Sequence, residues 1–465
     1  MRPAELHSAA TKRYKVQRTT KAGNMPAWRT GRRPVFLKHA ATFAAVIDRR
    51  YSRKMIVRAR IVVTMDGAPI PNGAVRVSGD RIADVGKFSD VASANDEVVD
   101  LGERVLLPGL INVHCHLDYT CLRGKIPRQT SFTNWIRSIN AEKEKLTAED
   151  YVASINAGFA EAQRFGTTTM ANLTAFPELI AEIETPIRTW WFAELIDARE
   201  PERANEIVES AIESLQANKN WGLAPHAPFT ASGSLFQRCQ EVALRKNLLL
   251  TTHLAESREE MEMFRDRSGW LYQLLKEIGR DMTDCGHETP LQLFLRELHF
   301  SQRDPSTSFG MTGRWIIAHL NELTESDFDS LAEIQQKFSI VHCPRSHAYF
   351  GHAAFQFKRL QRLGFNICLG TDSLASNDDL SLFAEMRAFQ KKFPAVEPEK
   401  ILEMVTVGPA QALNREHEFG KVRQNFLADI IAIPFRESPA VYETILNFVG
   451  KVPWIMLQGK ITDTP

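Results

Sequence analysis

Eight short apolar runs spaced between residues 105 and 372 constrain this chain more than any other feature. They read VLLPGLINVHCHL, GTTTMANLT, TWWFAEL, WGLAPHAP, LLLTTHLAE, RWIIAHLNE, FSIVHCP and NICLGTD. Each is followed by a stretch compatible with a helix, such as DDLSLFAEMRAFQKKF. Short apolar runs bounded by turn residues read as strands, and strands alternating with helices read as βαβ units on a parallel sheet. Eight such units predict a (β/α)8 barrel, an α/β fold that gathers its chemistry at the C-terminal ends of its strands. The polar residues of these runs fall at those ends.

The flanks have a different texture. Residues 55–107 alternate β-branched runs with turn signals such as DGAPIPNG and SGDR, and FGKVRQNFLADIIAIPF and WIMLQGKIT repeat that pattern near the C-terminus. Two strand-rich ends around a long middle predict a small composite β-sandwich built from both termini. The expected division is a basic N-terminal extension over 1–54, the first part of the β-domain over 55–107, the barrel over 108–412 and the second part of the β-domain over 413–465. Residues 118–150 and 257–313 are long for simple connections and are expected to cover the barrel mouth.

At 465 residues, 44% hydrophobic and 24% charged, the chain has the composition of a globular protein large enough for a barrel and an appendage. No stretch approaches the roughly 18 to 20 uninterrupted apolar residues that cross a bilayer, so no membrane partner is expected. Six cysteines without a CxxC pair fit a reduced, cytoplasmic chain. The net charge of +1 hides an asymmetry, because residues 1–54 carry 14 Lys and Arg against 2 Asp and Glu. The remainder holds 43 basic and 54 acidic side chains. An acidic body gives no support to a nucleic-acid partner. The basic head is read as a targeting peptide, a disordered tail or sequence upstream of a start at Met55, and it is set aside in the functional argument.

INVHCHLD places two histidines one residue apart at the end of the first run. In a strand, residues i and i+2 share a face, so His114 and His116 point together while Cys115 points away. His253 and Glu256 end the fifth run, His319 the sixth and Asp372 the eighth. Three histidines and an aspartate offer nitrogen and oxygen donors suited to one divalent ion, Zn²⁺ or Fe²⁺, with a coordination position left for water. His319 is a fourth nitrogen ligand or a group behind the ligands. Glu256 stands before an acidic helix start, where capping is its alternative role.

These residues sit in motifs that resemble the amidohydrolase superfamily, in the branch of nucleoside and nucleobase deaminases and triazine chlorohydrolases. The resemblance runs in order through LLPGLINVHCHLDYTCLRG, APHAPFTAS, TTHLAESREE, IAHLNEL, HCPRSH and GTDSLASNDDLSLFAEMR, over roughly residues 55 to 465. It implies a single metal, most often zinc, held by His114, His116, His253 and Asp372, with Glu256, His319 and Asp372 serving catalysis. It also implies a composite β-domain, a small heterocyclic substrate and, as is usual among relatives, a homodimer. His226 matches a substrate contact and Trp135 a loop tryptophan packing over the substrate, although Trp135 beside Ile136 and Ile139 could equally anchor its own helix. Arg345 is read as the partner of a polar or anionic substrate tail, or as half of a structural salt bridge.

The expected reaction is hydrolytic deamination of an amino-purine nucleoside or related heterocycle. Two departures, CPRSHAYFGH with His347 at the family's asparagine position and LDYT after His116, resemble members acting on 6-amino-6-deoxyfutalosine, which makes that the leading substrate. The alternatives are hydrolysis of a triazine, guanine or cytosine, and a non-catalytic barrel serving as a scaffold.

Overall fold

The structure, a computed structural model, describes residues 55–94, 96–298, 315–335, 337–435 and 440–462. The N-terminal extension expected over 1–54 lies outside the described residues, as does part of the long segment 257–313.

Strands β1 (Met55–Val62), β2 (Ile70–Ser78), β3 (Arg81–Lys87), β4 (Glu97–Asp100) and β5 (Arg104–Pro108) come from the N-terminal side. The barrel strands are β6 (Leu110–His116), β7 (Thr167–Thr174), β8 (Arg188–Leu195), β9 (Trp221–Pro225), β10 (Leu249–Leu254), β11 (Trp315–His319), β12 (Ser339–His342), β13 (Asn366–Leu369) and β14 (Asp372–Ser373). Strands β15 (Ile430–Pro434), β16 (Trp454–Leu457) and β17 (Lys460–Thr462) complete the chain. The parallel sheet runs β6 to β13 in sequence order, and β14 pairs with β6. β13 and β14 are one eighth strand bent at Gly370–Thr371. The Gly370 N–H goes to His342 O (3.0 Å) on the seventh strand and the Thr371 N–H to His114 O (3.2 Å) on the first, which closes the ring. The bend needs glycine, since a Cβ at Gly370 would stand 2.9 Å from His114 O and 2.9 Å from Val341 Cγ1. All eight expected strands are present.

The first apolar run differs from its reading as one strand. It is two strands in two sheets, β5 in the terminal sheet and β6 in the barrel. Pro108 has no N–H to continue a ladder, and a Cβ at Gly109 would collide with the Thr168 side chain, so the chain changes sheets there.

The expected β-sandwich takes the form of one connected mixed sheet in the order β17-β16-β15-β5-β1-β2-β3, with β4 sharing the edge of β1 with β5. One of its faces buries Val57, Val75, Ile82, Leu106, Ile430 and Met456 together, while Val105, Leu107, Ile431 and Ile455 join the core shared with the barrel helices. The two parts are also tied by a partly buried ion pair between Arg188, at the start of β8, and Asp429, just before β15.

At the mouth, the helix Phe132–Lys143 from the segment after β6 meets the helices Arg258–Asp266, Gly269–Glu277 and Pro290–Glu297 after β10. Phe132, Phe229, Phe264, Leu271 and Leu293 form their common core. The Glu259 carboxylate accepts the N–H groups of Phe132 (2.9 Å) and Thr133 (3.1 Å), capping the first helix from the second segment. Among the described residues no helix is long and apolar enough to cross a membrane.

Candidate metal centre and active site

The ends of strands one, five, six and eight converge on one point. His114, His116 and His253 bring ring nitrogens within 4.8 Å of one another, and Glu256, His319 and Asp372 form a second such group beside them. Asp372 links the two, with Oδ1 3.8 Å from Nε2 of both His114 and His116. His319 Nε2 lies 3.6 Å from Glu256 Oε1. All six side chains are buried.

The rings are oriented for an ion. His253 Nδ1 is 2.8 Å from the carbonyl oxygen of His226. A carbonyl only accepts, so Nδ1 carries the proton and the Nε2 lone pair is left free. That lone pair is directed at Nε2 of His116, 3.1 Å away. Neither ring nitrogen of His114 has a hydrogen-bond partner, nor do His116 Nδ1 and His319 Nε2, although all are buried. Orphaned buried nitrogens cost about 1–3 kcal/mol each, and a shared cation gives His114 what no protein group supplies. Burial lowers the basicity of the imidazoles, His253 to about 4 and His116 and His319 well below the usual value, so they stand neutral as ligands must. Burial alone would push Asp372 up, but the surrounding imidazoles of His114, His319 and His116 hold its carboxyl well below the ordinary range.

Asp372 is aimed by its backbone and by a neighbour. Its φ of +56° is left-handed, a conformation that persists where the surroundings over-determine it. Ser346 Oγ donates to Asp372 Oδ2 at 2.6 Å and meets Ser376 Oγ at 2.9 Å, which leaves Oδ1 facing the histidines. Hydrogen bonds behind a ligand typically carry 10- to 100-fold in metal affinity. Ser346→Ala is therefore expected to weaken metal binding by about that factor, read by competition with a chromogenic chelator. Unchanged affinity would count against this role for Ser346.

The remaining expected residues divide. His226 reaches the site: its Nδ1 is 2.6 Å from Thr230 Oγ1 and its Nε2 3.3 Å from Glu194 Oε1. Trp135 stacks on Phe132 (5.9 Å between centroids, 17°) and meets the edge of Phe350 (5.0 Å), which brings the segments after strands one and seven together. Arg345 meets acidic partners. Its guanidinium bonds Asp379 (2.6 Å) and Asp378 (2.9 Å), and its N–H bonds Glu385 (3.0 Å), so the salt bridge is the role its contacts fill. Asn377 Nδ2 donates to Thr371 O (2.8 Å) and Glu385 Oε1 (2.7 Å), shaping the loop after Asp372.

Residues that the sequence reading passed over also line the site. Glu194, half-buried at the end of β8, forms a third ligand-capable group with His226 and His253. That group is no second metal centre, because His253 has one free nitrogen and it faces His116. Asp118 Oδ2 accepts from Thr174 Oγ1 (3.1 Å) and the Ala175 N–H (2.9 Å), and burial raises its carboxyl to about 7. Glu194 was open to view as the lone acidic side chain in TWWFAEL, at the same strand end as the chosen residues.

Residues 105–461 match the model of the Amidohydrolase family. This chain belongs to the amidohydrolase family. It is 30% identical over 433 residues to a 5-methylthioadenosine/S-adenosylhomocysteine deaminase of Desulfitobacterium hafniense, covering 88% of this chain and 93% of that one. Among solved structures the amidohydrolase fold is shared with Helicobacter pylori aminofutalosine deaminase in complex with methylthio-coformycin (TM-score 0.75, 21% identity, 88% and 100% of the two chains). It is shared also with an adenosine deaminase from Xanthomonas campestris with bound zinc (TM-score 0.72, 23% identity, 88% and 93%).

Proposed function

We propose that this amidohydrolase is a metal-dependent deaminase of 6-aminopurine nucleosides, replacing the exocyclic amine with oxygen and releasing ammonia. It is a hydrolase of carbon–nitrogen bonds other than peptide bonds. The observation that carries the reading is the buried trio of Glu256, His319 and Asp372 set against three converging histidines. The donor set of His114, His116, His253 and Asp372 suits one divalent ion, with zinc favoured by the zinc-bearing relative of the same fold. Such an ion, when bound, lowers the pKa of water from 15.7 toward about 7.

Asp372 accepts the proton of the attacking water and aims it. Burial first, then the neighbouring Asp372 and Glu260, raise the Glu256 carboxyl well above the usual carboxylate range, which favours the protonated form that a proton donor needs. It delivers that proton to the ring nitrogen next to the attacked carbon, carries Asp372's proton on to the departing amine, and takes up the remaining proton of the added hydroxyl as the C=O forms. His319 hydrogen-bonds the oxygen being added, in a site closed to bulk water. Water and amine enter, a keto heterocycle and ammonia leave, and both carboxyl groups return to their starting state. His226, with its ring set by Thr230 and Glu194, faces the bound ring.

A protonated acid in this position favours loss of an amine, which needs a proton, over loss of chloride, which does not. Relatives at about 30% identity are named for methylthioadenosine and S-adenosylhomocysteine, whereas the departures at His347 and in LDYT support 6-amino-6-deoxyfutalosine. The deciding experiment, on purified, metal-loaded protein, measures ammonia release from these three nucleosides, adenosine, guanine and cytosine, and chloride release from a chlorotriazine. Turnover of a 6-aminopurine nucleoside at a kcat/KM above about 10⁴ M⁻¹s⁻¹, the ordinary range for enzymes, is the expected result. Activity confined to the triazine, or none at all, would sink the reading.

A further inference from the structure

A proton donor is useful only if its carboxyl is held, and Glu256 stands on backbone that would not hold itself. Ala255 before it has φ +49°, and His319 and Leu320 on the neighbouring strand end have φ +77° and +50°. Three adjacent left-handed residues without glycine cost about 1–3 kcal/mol each, and such conformations persist where surrounding bonds enforce them.

The two turns are sewn together. Leu320 N–H donates to Leu254 O (3.0 Å), and the N–H groups of Asn321 (2.9 Å) and Glu322 (3.0 Å) both donate to Ala255 O. The peptide groups of Glu256 are taken up from two sides. Its carbonyl oxygen accepts from Asn321 Nδ2 at 3.0 Å. Its N–H donates to Glu260 Oε2 at 2.7 Å, while Glu260 Oε1 accepts from the Ala255 N–H at 3.2 Å.

Capping the following helix does not account for Glu260. Ser257 already supplies the cap, its hydroxyl accepting the Glu260 N–H at 3.2 Å. The Glu260 carboxylate reaches beyond that cap onto the two residues of the catalytic turn. Glu260 is fully buried. Taking an acid side chain fully out of water costs more than a cap at a helix end returns, about 1 kcal/mol.

We propose that Glu260 and Asn321 are positioning residues that fix the Glu256 carboxyl opposite His319 by gripping the N–H and C=O of Glu256 itself. The proposal rests on the deaminase reading for its kinetic consequence and on geometry alone for its structural one.

The test uses metal-loaded full-length Glu260→Ala, Glu260→Gln and Asn321→Ala. With a 6-amino nucleoside, Glu260→Ala is expected to lose about 10- to 100-fold in kcat, the scale for a misplacement of about 1 Å, with KM within about threefold. Its loss on the matching 6-chloropurine nucleoside is smaller, because that substrate asks Glu256 for the ring-nitrogen proton alone and its chloride departs without one. Glu260→Gln, which keeps one accepting oxygen, recovers part of the rate. Crystal structures of the variants show the Glu256 carboxyl displaced while His114, His116 and His253 stay in place. Equal losses on amino and chloro substrates, wild-type kcat in Glu260→Ala, or an undisplaced Glu256 would each overturn the proposal. Should the wild-type protein deaminate no 6-amino nucleoside, the functional reading fails by itself, and the position of Glu256 in the variant structures still decides this one. If Glu260→Ala does not fold, Asn321→Ala carries the same measurements.

Discussion

Glu256→Ala is expected to retain one metal ion per chain and to lose about 10²- to 10⁴-fold in kcat for amine hydrolysis, the range for removal of a positioned acid–base group. The metal stays because Glu256 is outside the proposed donor set of His114, His116, His253 and Asp372. Its carboxyl is 3.6 Å from His319. Glu256→Gln separates the chemistry from the packing: the amide fills the same buried space but has no proton to transfer, so its kcat should fall as far as that of the alanine variant. Elemental analysis with steady-state kinetics checks both. A glutamine variant within about tenfold of wild type would show that Glu256 does not shuttle the proton, and loss of metal in either variant would move it into the ligand set.

The site was more legible in the sequence than its supports. His114 and His116 could be read together because strand parity puts alternate residues on one face, and His253, His319 and Asp372 because each closes an apolar run at the end where a barrel does its chemistry. Those are local signals added to one global expectation. The split of the first run at Pro108–Gly109 was hidden, because a continuous apolar string does not say which of two sheets each half joins. Ser346, Asn321 and Glu260 were hidden for a different reason. Their roles are hydrogen bonds to Asp372, Glu256 and Ala255, and a hydroxyl, an amide and a helix-start carboxylate carry no mark of what they will meet. Arg345 shows the converse. A lone basic residue near a site motif reads equally as the partner of a substrate anion or of a structural carboxylate, and only the fold shows that Asp378 and Asp379, a short way along the chain, bond it.

His116→Ala should show the second large effect, on the ion itself. The wild-type ligands are buried, neutral and short of partners, with His114 bonded at neither ring nitrogen, so the folded chain without an ion carries an uncompensated cost. An ion that binds the native state and not the unfolded one stabilises by RT ln(1 + [L]/Kd), about 4 kcal/mol at a thousandfold excess over Kd. Stripping the wild-type protein with a chelator is therefore expected to lower Tm by several degrees, and re-adding Zn²⁺ to restore it. In His116→Ala the imidazole facing His253 at 3.1 Å is gone, the ion is held by three ligands at most, and the gap between metal-loaded and stripped Tm should nearly vanish together with activity. The stripped variant itself should be no less stable than the stripped wild type by more than the lost packing of one ring, since a cluster of crowded, orphaned nitrogens has been relieved. A full Zn²⁺-dependent rise in Tm in His116→Ala would mean that the ion is bound elsewhere, and the convergence of His114, His116, His253 and Asp372 would then need a different explanation.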